Sequence, residues 1–317
     1  MNRCLVTGAA GFIGSHLCEA LLAAGHPTVG VDCFTDYYDP GRKRANLERA
    51  RGLGLRFVEA DLATCPLEAL ATDADVVFHL AGQPGVRTSW DGGFKLYAMR
   101  NVVATQRLLE ACAQGGVRRL VFASSSSVYG GARDAALDES APRRPISPYG
   151  LTKAACEDLI DVYRRGSGLS AVSLRYFTVY GPRQRPEMAF AQFIDRIAAG
   201  APITVYGDGR QTRDFTYVGD AVAATIAAAD RGKRPAYNVS GGATATLIDA
   251  IREIERAVGR KAHVAFAEAA RGDARHTRAD LTAAATDLGY QPIMSLAEGV
   301  ARQVAHTLGH EQGRWAA

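Results

Sequence analysis

The sequence predicts an α/β protein built on a doubly wound parallel sheet, with a smaller α/β lobe towards the C-terminus. Three observations carry this. Short runs of aliphatic and β-branched residues alternate with helical segments over residues 1–177, the rhythm of parallel strands joined by crossover helices. Two of the runs, DVVFHLA and LVFA, are apolar at nearly every position, as strands covered on both faces are. The first strand also runs directly into a glycine-rich turn, LVTGAAGFIGSHL, the form of a strand–turn–helix unit whose helix N-terminus receives a phosphate.

The expected strands are, in order, RCLVT, PTVGVD, LRFVEA, DVVFHLA, RRLVFASS and SAVSLRYF, each bounded by turn residues or by a helical pattern. After Tyr180 the rhythm breaks. GPRQRPEM reads as a loop, AFAQFIDRIAAG as a helix and PITVYGDGRQTRDFTYV as short strands. Helices are expected at about 219–231, 246–258 and 296–308, and AYNVS is a strand-like piece able to rejoin the sheet. The expected division is a dinucleotide-binding domain over 1–177, with 218–240 rejoining it, and a second lobe over 178–217 and 241–317. The terminal GHEQGRWAA is expected to fray.

Composition limits the classes of function. The 317 residues are 47% hydrophobic, enough for a substantial core. The formal charge of +4 comes from dispersed Lys and Arg with no basic run, which argues against a nucleic-acid partner. No apolar stretch approaches the roughly 20 residues of a membrane span, and MNRCLVTG enters a strand with no signal-peptide pattern, so a cytoplasmic protein is expected. Cys4, Cys18, Cys33, Cys65, Cys112 and Cys156 show no C-x-x-C spacing and are expected as reduced, mostly buried thiols. His16, His79 and His263 have no histidine four residues away; structural roles are expected and no metal site is predicted.

The glycine turn is the first chemical signal. Gly8, Gly11 and Gly14 form G-x-x-G-x-x-G, one residue wider than the common dinucleotide spacing, and their missing side chains let backbone N–H groups approach a pyrophosphate. A tight turn without a ligand has the same pattern. Asp32 closes the second strand where a carboxylate accepts from ribose hydroxyls and repels a 2′-phosphate, favouring NAD over NADP. Arg42, Lys43 and Arg44 weigh the other way but read as a solvated helix start, with Lys43 available to the pyrophosphate. Asp61 reads equally as a partner of the adenine amino group and as a helix N-cap.

The second signal is SPYGLTK. Ser147 as N-cap and Pro148 at the first helical position start a helix that places Tyr149 and Lys153 one turn apart on one face. VFASSSSVYG brings four hydroxyls to the carboxyl end of the fifth strand, the edge at which doubly wound sheets bind ligands. An ammonium beside a phenol stabilises the phenolate, so Tyr149 can act as a base, with a nearby serine sharing the proton.

TGAAGFIGSHL, Asp32, FHLAG, SSSSVYG, the Tyr149/Lys153 pair and GDGRQTRDFTYVGD together resemble the extended short-chain dehydrogenase/reductase superfamily of NAD-dependent nucleotide-sugar epimerases and dehydratases. DYYD, GVRTSW and RYFTVYGPRQRPEMA look most like the UDP-glucuronate 4-epimerases. The resemblance covers nearly the whole chain and implies a Rossmann-type sheet, bound NAD and a transient oxidation at carbon 4 of a UDP-sugar. It makes Tyr149, Lys153 and Ser125 the catalytic residues. It places Phe12, Ile13, Leu62, Leu80, Ala81, Gly82, Asn101, Ser124, Tyr176 and Val179 with the glycines, Asp32, Lys43 and Asp61 around the cofactor. It places Gly85, Val86, Arg87, Ser126, Ser127, Thr178, Arg185, Arg213 and Asp273 around the substrate.

A carboxylate at carbon 5 would turn a 4-keto intermediate into a β-keto acid. Thr178, Ser127 and Arg185 are expected to hold that group; Thr178 reads equally as a β-branched residue closing a strand. Relatives that decarboxylate or dehydrate carry acidic residues where this chain has Ser126 and Ser127, so epimerisation is the expected outcome. Two departures stand out. Ala270 lies where the family has a phosphate-binding arginine, with Arg271 directly before Gly272, and Gly82 replaces a commoner alanine. The apolar stripes of KLYAMRNVVATQRLLEACA and of the helix from Pro148 imply a homodimer by resemblance, and fit helices covering a sheet equally well. The alternatives are a 4-epimerase of a neutral nucleotide hexose, then a decarboxylase, a dehydratase or a non-catalytic NAD-binding sensor.

Overall fold

The structure is a computed structural model and describes residues 2–90, 92–131 and 136–309; the tail at 310–317, expected to fray, lies outside the described residues. Seven parallel strands form the central sheet: β1 (Cys4–Thr7), β2 (Thr28–Asp32), β3 (Arg56–Glu59), β4 (Val76–His79), β5 (Arg119–Ser125), β6 (Ala171–Tyr176) and, after a long excursion, β11 (Ala236–Val239). Their spatial order is β11-β6-β5-β4-β1-β2-β3. The chain leaves β1 towards β2 and returns on the other side at β4, with Thr7 beside both Val31 and His79. That reversal opens a crevice above the carboxyl ends of β1 and β4, where ligands of such sheets bind.

The apolar strands are explained by helices on both faces. Val76, Phe78 and Val121 enter the core that also holds Leu17 and Leu21 of α1 (Phe12–Ala23) and Ala224 and Ala228 of α9 (Val218–Arg231). Val77, Leu120 and Phe122 point the other way, into the core formed with α4 (Glu68–Thr72), α6 (Ala104–Gly115) and α7 (Pro148–Ser167). Each such buried side chain contributes about 1.5–3 kcal/mol, and the period-2 geometry of a strand distributes them to both sides. β3 differs because it is an edge strand, and none of its four residues is fully buried.

Short helices α2 (Pro40–Asn46), α3 (Glu48–Gly52) and α5 (Phe94–Tyr97) complete this part. The helix expected over KLYAMRNVVATQRLLEACA is interrupted by a π-helical segment, Ala98–Val103, between α5 and α6. The widened turn lets Asn101 sink to 2% exposure, where its Oδ1 accepts from Gln83 N at 2.6 Å and its Nδ2 donates to Thr152 Oγ1 at 2.9 Å.

A separate core gathers the remaining elements: β7 (Val179–Tyr180), α8 (Ala189–Ala199), β8 (Ile203–Tyr206), β9 (Thr212–Asp214), β10 (Thr216–Tyr217), β12 (Thr244–Thr246), α10 (Leu247–Val258), β13 (Val264–Ala267) and α11 (Leu296–Thr307). Phe190, Phe193, Ile194, Ile203, Ile251 and Ile254 lie at its centre. The strands pair in twos, β7 with β10, β9 with β12 and β8 with β13. Among the described residues no helix is long and apolar enough to cross a membrane.

Candidate active site

The turn after β1 is shaped by backbone contact. Gly8 has φ +71°, and a Cβ there would lie 2.7 Å from Ala81 N; a Cβ on Gly14 would lie 2.1 Å from Gly8 O. Any other residue at either position forces the β1 turn away from β4 or from α1. Gly11 caps α1 without a side-chain hydrogen bond, so the first N–H groups of that helix are available to an anion. The turn opens into a cleft with a cavity volume of about 210 Å³.

Of the residues expected around the cofactor, Gly8, Gly11, Phe12, Ile13, Gly14, Asp32, Lys43, Asp61, Leu62, Leu80, Ala81, Gly82, Ser124, Tyr149, Lys153 and Tyr176 line this cleft. Asn101 stands behind it, holding Gln83, and Val179 is buried in the adjoining core. Asp32 is fixed at the end of β2 by N–H groups of Phe34 (2.9 Å) and Ala10 (3.2 Å); burial raises its pKa, against the pull of those N–H groups and Lys43. Arg42 and Arg44 are exposed near the start of α2, whereas Lys43 turns inward. It is 5% exposed, its ammonium donates to Thr35 O (2.5 Å) and Thr35 Oγ1 (2.9 Å), and it stands over the Tyr38 ring. Arg44 is turned to Phe34 and Glu59. Asp61 accepts from Ala63 N at 2.8 Å, capping a turn rather than a helix, while also lining the cleft. A dinucleotide fits this donor set: a glycine cradle that a Cβ would fill, a carboxylate at the end of β2, a buried ammonium with neutral partners, and the buried, unpartnered Tyr38 hydroxyl on the cleft wall.

The start of α7 builds the reacting end. Ser147 accepts from Gly150 N at 3.1 Å and Pro148 occupies the first turn, which fixes where the helix begins and hence which face carries Tyr149 and Lys153. Lys153 is 6% exposed; its ammonium donates to Ala123 O at 2.8 Å and lies 4.6 Å from the Phe122 ring centre. Tyr149 meets Tyr97 edge-on at 6.3 Å. Ser125 ends β5, and its Oγ accepts from Ser127 N and donates to Ser127 Oγ, both at 3.1 Å, closing the Ser126–Val128 turn beside the cleft rather than in its wall.

The residues expected at the substrate are only partly gathered. Arg87 pairs with Asp273 at 2.7 Å and stacks on Tyr206 at 4.2 Å, just beyond Gly85 and Val86. Arg213 donates to the carbonyls of Thr212 (2.8 Å) and Arg275 (3.2 Å); burial lowers its pKa, with Asp273 opposing and Arg87 reinforcing. Arg271 lies over the Trp90 ring at 3.8 Å. Arg185 lines the cleft beside Tyr37 and Tyr38 and donates to Glu187 at 2.6 Å. Among the described residues no hydrogen bond joins it to Thr178 or Ser127. Thr178 is half-buried between β6 and β7, its carbonyl accepting from Thr216 N at 3.0 Å.

Sequence reasoning missed Thr35, Tyr37, Tyr38, Gln83, Pro84 and Arg100 in the cleft wall. DYYD drew notice only as a likeness, and Gln83 gives no local signal. His79 is buried between Thr7 Oγ1 (2.8 Å) and Thr105 Oγ1 (2.9 Å), and His16 meets Pro182 O at 2.9 Å. The six thiols are free, with Cys33 and Cys65 only partly buried. Among the described residues no three metal-ligating side chains gather.

Comparison with known proteins places this geometry among nucleotide-sugar enzymes. The family model described as "NAD dependent epimerase/dehydratase family" matches residues 4–240. An uncharacterized UDP-glucose epimerase of Bacillus subtilis is 41% identical over 98% of this chain and 99% of its own length. A UDP-glucuronate 4-epimerase of Thermodesulfobacterium geofontis is 37% identical over 96% of this chain and 95% of its own. The crystal structure of a UDP-glucuronic acid 4-epimerase from Bacillus cereus, in complex with UDP-glucuronic acid and NAD, superposes with a TM-score of 0.94 at 40% identity, covering 97% of this chain and 99% of that one.

Proposed function

This chain belongs to the NAD-dependent epimerase/dehydratase family, and from that premise we propose that it inverts carbon 4 of UDP-glucuronate to give UDP-galacturonate, with NAD as its resident cofactor. The observation that carries the reading is the Tyr149–Lys153 turn facing a glycine-cradled dinucleotide cleft. The solved relative holding UDP-glucuronic acid and NAD supports the choice of sugar.

Gly8, Gly11, Gly14 and Lys43 hold the pyrophosphate and Asp32 the adenosine ribose. NAD bound there would supply the acceptor and donor of a hydride at carbon 4. Tyr149 removes the proton of the 4-hydroxyl as phenolate and later returns it, with the Lys153 ammonium stabilising the phenolate and Ser125 sharing the proton. Arg87, Arg213 and Asp273 receive the UDP portion, with Gly85 and Val86 beside them. Thr178, Ser127 and Arg185 restrain the sugar carboxylate, and Ser126 with Ser127 leave no carboxylic acid to protonate a carbanion or leaving group.

We read residues 1–177 with 218–240 as the cofactor domain and 178–217 with 241–317 as the substrate lobe. A homodimer through α5–α6 and α7 accounts for Leu96, Met99, Leu151 and Val162, each 41–55% exposed on those helices. The cytoplasm suits an enzyme of nucleotide sugars with six free thiols.

The test is to incubate the purified protein with UDP-glucuronate and, separately, UDP-glucose, and to resolve products and carbon dioxide. UDP-galacturonate without carbon dioxide is expected. UDP-galactose alone would move the assignment to the neutral hexose named for the Bacillus subtilis relative, and a pentose product with carbon dioxide would make the chain a decarboxylase.

A further inference from the structure

Tyr149, Lys153 and Glu157 recur every four residues along one face of α7. Two of them tie that helix to consecutive residues of β5: Lys153 donates to Ala123 O at 2.8 Å, and Glu157 Oε1 accepts from Ser124 Oγ. The next residue of the strand is Ser125. Tyr149 and Ser125 stand on different elements, so their separation is set by the links that cross from helix to strand.

Glu157 is itself held rigidly. It is 8% exposed and Arg175 of β6 is 5% exposed; Arg175 Nε donates to both carboxylate oxygens (3.0 and 3.2 Å) and a terminal nitrogen donates to Oε2 at 2.7 Å. The remaining donors of Arg175 reach Tyr129 Oη (2.7 Å) and Glu139 O (3.0 Å), and Tyr129 donates to Asn238 Oδ1 of β11 at 2.7 Å. Arg143 approaches Glu157 Oε2 at 3.6 Å. Burial works against the Arg175 cation, and the Glu157 carboxylate outweighs it, raising the guanidinium pKa. A pair of this kind adds little net stability compared with apolar side chains of the same shape; what it supplies is a fixed, planar, bidentate geometry.

We propose that Glu157 and Arg175 are positioning residues for the reaction: together they hold Ser124, and so set the distance between Ser125 on β5 and Tyr149 on α7. The proposal rests on the epimerase reading above. Neither residue lines the cleft, and misplacing reacting groups by about 1 Å costs up to a hundredfold in rate.

The test uses the NAD-loaded protein and two variants. Arg175→Lys keeps the charge and loses the planar, two-pronged hold on Glu157. Glu157→Leu combined with Arg175→Met removes both charges together. For each, kcat, KM, bound NAD and melting temperature are measured, and the crystal structure of the double variant is compared with that of the wild type. The expected result is a ten- to hundredfold fall in kcat in both variants, with KM and NAD content within twofold of wild type, and a Ser125–Tyr149 separation changed by about 0.5 Å or more in the double variant. A kcat within twofold of wild type, or a loss appearing in KM or NAD content, overturns it. Should the double variant fail to fold, Arg175→Lys decides. Wild-type protein inactive on both sugars would sink the assigned reaction, and the measured separation would still judge the positioning claim.

Discussion

At the scale of single residues, the site rests on side chains whose surroundings leave them one task. Tyr149 has a packed ring, through Tyr97, and lies one turn from a lysine held by a backbone carbonyl. Replacing it with phenylalanine keeps the ring and removes the hydroxyl. Tyr149→Phe is expected to lower kcat by about a thousandfold while purified protein keeps its NAD, measured by turnover and by nucleotide released on denaturation; loss of NAD in the variant would mean that the hydroxyl holds the cofactor instead. Residue type and spacing made Tyr149, Lys153, Asp32 and the glycines legible in the sequence. Lys43 was legible as a residue available to a ligand, but its partners were not, because nothing local says that Thr35 and Tyr38 fold over its ammonium. Glu157 was invisible for the same reason: a glutamate in an amphipathic helix reads as solvated until Arg175, eighteen residues on, is placed opposite it.

At the scale of elements, α7 joins chemistry to stability. Its N-cap, Ser147, satisfies one of the first N–H groups and fixes the turn on which Tyr149 sits. Ser147→Ala is expected to cost about 1 kcal/mol in unfolding free energy, measured by urea denaturation, with a fall in kcat larger than any change in KM because the first turn of the helix frays. An unchanged denaturation midpoint would mean that the cap bond adds nothing. Caps, glycine turns and apolar runs are local signals, which is why α1, α7 and the strands of the sheet followed from the sequence, whereas their spatial order did not. The π-helical turn at Ala98–Val103 has no such signal. It forms because Asn101 is drawn inward by Gln83 and Thr152, partners from two other segments.

At the scale of the whole molecule, acid sensitivity follows from two histidines that desolvation keeps neutral, His79 fully buried and His16 partly so. Burial, reinforced by Lys153, lowers the pKa of His79 to about 3; burial, then Arg183, lowers that of His16 to about 4. Both folded values lie below the ordinary histidine value, so the unfolded chain binds more protons than the folded one as the pH falls below about 6.5. Stability is therefore full above that pH and is lost on the way down towards pH 4, by about 2 kcal/mol per histidine at pH 5. Melting temperature should fall between pH 6.5 and 5, and His79→Gln should flatten the slope; a profile level over that window would show that the rings are protonated in the folded state. The sequence by itself determined the parallel sheet, the strand–glycine–helix cradle and the Tyr149–Lys153 turn, because each is written in residues close together, where period, capping and steric size act directly. Only the tertiary structure decided which side chains wall the cleft, that Arg185 meets Glu187, and that Arg175 fixes the Glu157 carboxylate to which Ser124 donates. Those contacts join segments far apart in the chain, and hydrogen bonds between such partners exist only once burial has removed the competing water.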